Sequence, residues 1–364
     1  MKKNFLFTAL SLSLCIGFTS CSDDNDEPQA PVYEEALSGI YVINQGNMGA
    51  KISGSITAYD FAKGSATQNA FSAANANTPL GDTPQSAIIH GSKMYVAVYE
   101  SNIIRVLDTK TLKEIKRLTP AAPAASPRYF AAKDGYVYAS MYTGQVCRID
   151  TATLEIDKTV EVGNNPEQMA IAGDKLYVAN SDGMNWQGGY VNCSMSIIDL
   201  PGMSERKIDV GLNPTDVATN GTDVFVICKG NYADVPSTVK KISGNSAVDI
   251  APATMMAVSD DELFVIDAPY GGSISYKVYS TTGSSTPLRD MVSDGVDYPA
   301  GIGIDPVSKD LVILSYNVGA EGYALYQEAG YAQIYSNAGV PTTKFNVGVG
   351  PCQLVFNHSF VEVK

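Results

Sequence analysis

Histidine is almost missing from this chain: 364 residues contain only His90 and His358. No Ser-His-Asp set and no His-rich metal site can be assembled from them, and no glycine-rich phosphate loop occurs in their place. Positive charge is scarce as well. The 25 Lys and Arg residues face 38 Asp and Glu, a net charge of −13, and such a surface argues against nucleic acid as a partner. The six cysteines contain no CxxC pair, and the wide spacing of Cys147, Cys193, Cys228 and Cys352 excludes a compact zinc knuckle. A membrane span is lacking too, because the apolar run from Phe5 to Phe18 is too short to cross a bilayer as a permanent helix. With Asp260-Asp261 and similar acid pairs falling in short turns, the sequence recommends no catalytic residue, no metal site and no cofactor, and a non-enzyme is expected.

Two short features at the N-terminus carry information. Lys2 and Lys3 ahead of the apolar run make a secretory signal, expected over residues 1–20. The ending Thr19-Ser20-Cys21 resembles a bacterial lipoprotein cleavage site, with Phe18 where leucine is more usual. That resemblance implies Cys21 as the lipid anchor. Residues 21–37, opening SDDNDEPQAP after Cys21, read as an acidic tether. An acidic stretch directly after the lipidated cysteine is similar to the surface-export signal of Bacteroides-type lipoproteins, which implies an outer-membrane protein facing the exterior. Loss of Lys2 and Lys3 leaves 23 basic against 38 acidic residues, a net charge of −15.

The remaining residues, 38–364, repeat. Proline recurs at Pro84, Pro127, Pro166, Pro214, Pro252, Pro299 and Pro351, at intervals of 38 to 52 residues. Each unit holds a β-rich triplet: Ile40-Tyr41-Val42, Met94-Tyr95-Val96, Val137-Tyr138-Ala139, Leu176-Tyr177-Val178, Val224-Phe225-Val226, Leu263-Phe264-Val265 and Leu311-Val312-Ile313. A third strand closing on aspartate follows (IIRVLD, VCRID, SIIDL), then a fourth ending in a Val-Gly step (VEVGNNP, IDVGLNP, FNVGVGP). Four strands per unit predict an all-β, seven-bladed β-propeller as a single domain. The first unit opens on its second strand, and a leftover strand, CQLVFNHSF, follows Pro351. The C-terminal strand is therefore expected to complete blade 1 and close the ring, which leaves no long sheet edge open.

In such a fold the loops between second and third strands share one face with the connections between blades, and variable function belongs there. Those loops are residues 45–54, 99–102, 141–145, 181–194, 228–237, 267–273 and 315–330. Six carry Tyr or Trp and the other carries Met48. The stretch 181–194, SDGMNWQGGYVNCS, holds the sole tryptophan. Aromatic side chains left on one face cost burial energy unless something covers them. The expected ligand contacts are therefore Asn47, Met48, Tyr99, Tyr142, Asn185, Trp186, Tyr190, Tyr232, Tyr270, Tyr298, Tyr316 and Tyr323, with the polar residues behind the blade prolines, Gln85, Arg128, Glu167 and Asp216, at the channel mouth. That mixture suits a neutral ligand rich in amides and hydroxyls. Alanine at Trp186 or Tyr142 is expected to weaken binding and leave thermal stability nearly unchanged. Cys193 and Cys228 top adjacent blades, so either a disulfide or two free thiols fits, while Cys147 and Cys352 are expected to stay unpaired. Both histidines are expected as solvated turn residues on the opposite face.

The repeat resembles YncE-like propellers over nearly the whole mature chain. NQGNMG (44–49), LGDTPQS (80–86), SPRYF (126–130) and PEQMAI (166–171) also resemble segments of surface lipoprotein propellers of Bacteroides-type bacteria, a group that includes the BtuG cobalamin-binding proteins. Gln45 stands where glutamate is more usual. The resemblance implies capture of vitamin B12 (cobalamin) or a related corrinoid as bound ligand, with delivery to a BtuB-like TonB-dependent transporter. The alternatives are a surface scaffold that binds protein through the same face, and a metal-dependent propeller enzyme acting on a lactone or glycan.

Overall fold

A computed structural model describes residues 32–363. Cys21, the signal segment and the start of the tether lie outside the described residues. Seven four-stranded antiparallel sheets follow one another around a ring. Blade 1 runs from its inner strand Pro351–Val363 outward through Val32–Asn44 and Ser55–Asp60 to Ser65–Thr67, so the C-terminal strand does close the propeller. The seam is long, with pairing from Val32 opposite Val363 to Asn44 opposite Pro351. The first strand accordingly starts at Val32, inside the stretch expected as tether.

The reason the triplets read as unbroken apolar runs is visible in blade 2. Its second strand, Lys93–Val98, is buried on both sides, and successive side chains point to opposite faces. Met94, Val96 and Val98 pack toward blade 1, whereas Tyr95 and Ala97 pack toward blade 3. Repeated around the ring, this gives seven apolar clusters, one between each pair of neighbouring blades, and no core within a single blade. Each interface needs both neighbours, which is why ring closure matters for stability.

The proline repeat has a second cause. Directly after Pro84, Pro127, Pro166, Pro214 and Pro299 the pairing of the inner strand slips, and blade 1 shows the same slip at Pro351. A bulge lets consecutive residues turn toward one side instead of alternating. Blade 6 departs from the expectation. Pro252 ends the outer strand Ser246–Pro252 of blade 5, and the inner strand of blade 6 is Met255–Ser259, with no slip. Thr254 takes the proline's place and donates its N–H to the Ile266 carbonyl at 2.8 Å, a bond proline cannot give.

The Val-Gly steps are steric. A Cβ on Gly163 would stand 2.6 Å from the Asn180 side chain, and one on Gly348 would stand 2.8 Å from Asn44. The Gly348 N–H donates to Asn44 Oδ1 at 3.0 Å. Neither histidine is the solvated turn residue expected. His90 is the last residue of the inner strand Pro84–His90, half-buried, with Nε2 2.6 Å from the Asp134 carbonyl. His358 lies within the closing strand, 2.5 Å from Asp305, whose side chain is fully buried in blade 7. A carboxylate without water needs donors; the Ser308 N–H supplies one at 2.8 Å, and His358 supplies another across the interface between blades 7 and 1.

Candidate functional site

The bulges gather the residues behind the prolines at the axis. Arg128 is the hub. Its Nε and Nη2 donate to Glu167 Oε2 at 2.9 and 2.6 Å, and its Nη1 donates to Gln85 Oε1 at 2.9 Å. Gln85 Oε1 also accepts from Gln45 Nε2 at 3.0 Å, and Gln85 Nε2 donates to the Tyr129 hydroxyl at 3.0 Å. The planar guanidinium fork suits this dense bonding. Burial pushes the Glu167 carboxyl above the usual carboxylate range, with Arg128 acting against it. Asp216 lines the same well but stands apart from this network: the Lys229 ammonium is 3.5 Å away, and Asp216 accepts from the Thr215 hydroxyl at 2.6 Å. All four expected mouth residues line one axial well; Gln85, Arg128 and Glu167 are bonded to one another, whereas Asp216 pairs with Lys229. Tyr129 and Gln45 belong with them and escape a strict strand-alternation reading, because Arg128 and Tyr129 share the axis only through the bulge.

Tyr99 and Tyr142 stand over the hub. The Arg128 guanidinium carbon is 5.1 Å from the Tyr99 ring centre and 4.9 Å from that of Tyr142, and the two rings meet edge to face at 5.6 Å. Both rings are half-buried. This side of the site is a closed stack.

The opposite side is open. Tyr298, Tyr316 and Tyr326 form an edge-to-face trio with centre distances of 5.0 to 6.2 Å, and the Tyr326 hydroxyl donates to that of Tyr298 at 3.2 Å. Burial pushes the Tyr316 hydroxyl up to about 12. Beside Tyr298 and Tyr326 opens a cavity of about 520 Å³ walled also by Tyr270 and Tyr323, while Tyr316 faces the axial well. The tyrosine cavity meets that well, of about 370 Å³ and walled by the polar ring, at Lys229, Thr254 and Met255. Tyr270 is 90% exposed, Tyr232 74% and Tyr323 65%. Apart from Phe360 near the C-terminus, every exposed aromatic ring among the described residues lies in these loops.

Three expected contacts point elsewhere. Tyr190 is buried, because the loop 181–194 folds over it. Asn185 turns inward and donates to Asp182 Oδ2 at 2.9 Å. Asn47 is occupied at both ends: Oδ1 accepts the Ala50 N–H at 2.9 Å and Nδ2 donates to the Tyr326 carbonyl at 3.0 Å. Asn47 therefore braces one loop against another. Met48 and Trp186 are exposed as expected. Tyr326 was open to discovery from sequence, since it shares a loop with Tyr316 and Tyr323. Cys193 and Cys228 are free thiols, not a disulfide, donating to the Gly211 and Val210 carbonyls at 3.3 and 3.2 Å. Cys147 and Cys352 are unpaired too. Among the described residues no cluster of three or more His, Cys, Asp or Glu side chains is arranged to hold a metal.

Residues 38–347 match the model of a family described as a domain of unknown function, DUF5074. The chain belongs to the DUF5074 family. No curated protein matches it in sequence. Among solved structures, a quinonprotein alcohol dehydrogenase-like protein from Bacteroides thetaiotaomicron is similar with a TM-score of 0.61 at 16% identity, over 88% of this chain and 78% of that one. The structure of U3-55K is similar with a TM-score of 0.58 at 9% identity, over 79% of this chain and 89% of that one. The RRP9 WD40 repeats give 0.57 at 10% identity, over 79% and 88%. At such identities the likeness is one of fold, and it agrees with the seven blades of this DUF5074 protein. Neither the YncE-like nor the BtuG resemblance is distinguished at this level.

Proposed function

We propose that this DUF5074 protein is a lipid-anchored surface binder that captures a nutrient, cobalamin or a related corrinoid, and hands it to a BtuB-like TonB-dependent transporter. The observation that carries this reading is the joining of two unlike compartments on one face. A cavity walled by four tyrosines meets a polar well in which two cations and two carboxylates balance. The tyrosine side favours a broad, largely apolar body, and the well favours neutral groups with both donors and acceptors. A flat macrocycle fringed with amides meets both requirements. Each hydrogen bond contributes only about 1 kcal/mol net, so tight capture depends on aromatic burial together with several such bonds.

The exposed Met184 and Val191, which lie in loop 181–194 rather than in either cavity wall, favour a second role for the rim as a protein contact. Capture is tested by mixing the purified, detergent-solubilised mature protein with cyanocobalamin and removing free ligand by gel filtration. The red absorbance is expected to elute with the protein. Colourless protein at micromolar concentration would sink the reading.

A further inference from the structure

Asp182 follows the second strand of blade 4, is 1% exposed, and has φ 54°, in the left-handed region. Its carboxylate takes three hydrogen bonds, all from neutral donors. Asn164 Nδ2 donates to Oδ1 at 3.0 Å, and Asn185 Nδ2 and the Asn192 N–H each donate to Oδ2 at 2.9 Å. These donors come from the connection leaving blade 3, from the start of the loop and from its end. A single carboxylate thus closes loop 183–193 on itself and ties it to the neighbouring blade. The Met184 N–H adds a bond to Asn165 Oδ1 at 3.0 Å, and Asn165 Nδ2 donates to the Tyr142 carbonyl at 3.1 Å.

This arrangement is costly. A buried charge is tolerated only where its lone pairs are met, and left-handed backbone at a non-glycine residue survives only where its surroundings enforce it. Asn165 and Tyr190 share that backbone, at φ 50° and 59°. Gly188 is fixed as well, because a Cβ there would stand 2.2 Å from Asn185. With the loop's interior this constrained, Trp186 is nevertheless left 63% exposed. A loop that merely capped the blade would lay its largest apolar side chain inward.

We propose that Asp182 is a positioning residue for capture: it presets loop 183–193 so that Trp186 stands ready before the ligand arrives. The role in capture rests on the reading of this face given above. Presetting removes the loop-ordering cost from the binding step, and a loop competent only part of the time would weaken apparent affinity in proportion.

Asp182→Asn keeps the shape but turns an NH2 group toward donors. In the mature protein without ligand, amide exchange in the peptide spanning 183–193 should accelerate roughly tenfold while peptides from blades 1 and 7 keep their rates. Fluorescence anisotropy of Trp186, the sole tryptophan, should fall in parallel. The Kd for cyanocobalamin should rise about tenfold, and adding Asp182→Asn to Trp186→Ala should change it less than about twofold, because the two act through one contact. Asn185→Ala, which removes one donor, should give the same pattern more weakly, and it replaces Asp182→Asn should that variant not fold. Unchanged exchange in the loop overturns the proposal, as does an undiminished affinity loss in the Trp186→Ala background. A wild-type protein that binds no cyanocobalamin defeats the capture reading and with it the role in capture, while the exchange and anisotropy results still decide whether Asp182 orders the loop.

Discussion

The blade 2–3 wall and the blade 6–7 wall of the same cup use tyrosine in opposite ways. On the first, Tyr99 and Tyr142 lie on the Arg128 guanidinium, and Arg128 is in turn bonded to Glu167 and Gln85. On the second, Tyr270 and Tyr323 project around a cavity of about 520 Å³. Both walls are made from equivalent loops of equivalent blades. Position on this face therefore does not decide whether an aromatic ring is left uncovered; on the blade 2–3 wall a fixed cation receives the rings, and on the blade 6–7 wall no cation among the described residues lies over Tyr270 or Tyr323. A desolvated cation–π contact contributes up to about 2 kcal/mol, enough to hold a ring down against the pull of solvent and ligand.

The sharpest break of that contrast is Arg128→Ala. It leaves Glu167 buried without its partner, and breaking a buried pair costs about 3–5 kcal/mol. The urea midpoint should fall accordingly, with the slope unchanged. Adding Glu167→Gln should restore part of the loss, since the orphaned charge and not the missing attraction dominates the cost. An Arg128→Ala protein within about 0.5 kcal/mol of wild type would mean that the blade 2–3 wall is no more closed than its opposite.

Tyr142→Ala comes next, with an expected loss of about 2 kcal/mol, below the usual cost of deleting a fully buried aromatic because the ring is half-buried. Trp186→Ala should leave the thermal midpoint within a degree or two on the usual scale of surface substitutions. From sequence the two residues are alike, both aromatic and both in loops of one face, and both are expected to spare stability. The structure separates them. A midpoint for Tyr142→Ala equal to that for Trp186→Ala, measured by calorimetry, would mean that the ring stacked on Arg128 is held no more firmly than an exposed one.

What could be read beforehand follows from what is local. The blade count, the closing strand and the face that gathers the long loops are legible because strand period, turn residues and the proline positions are properties of short segments. Blade 6 shows where this stops: Pro252 keeps the spacing but not the place, since Thr254 makes a tertiary bond that spacing cannot register. The direction of loop side chains is likewise non-local. Tyr190 and Asn185 turn inward because Asp182 organises their loop, and Asp182 draws a donor from a different blade connection. Tyr129 reaches the axis because a bulge suspends alternation, and a bulge is defined by the partner strand, not by its own sequence.

The smallest effect on stability, and the most telling, is expected for Tyr270→Ala. The side chain is 90% exposed, so its removal forfeits almost no buried area and should shift unfolding by less than about 0.5 kcal/mol. In a complex the same ring would be covered, and deleting it should lose about 1–2 kcal/mol of binding, a Kd about 5- to 30-fold higher. Titration calorimetry with cyanocobalamin on Tyr270→Ala, beside chemical denaturation of the same sample, measures both quantities. A ring that matters to neither would be an ordinary exposed tyrosine, and the open wall would then lose its largest uncovered surface as a binding element. A ring that matters to stability would be packed in solution, and the two walls would be alike. Only a loss confined to binding keeps them different, because it shows free energy withheld on folding and recovered when a ligand arrives.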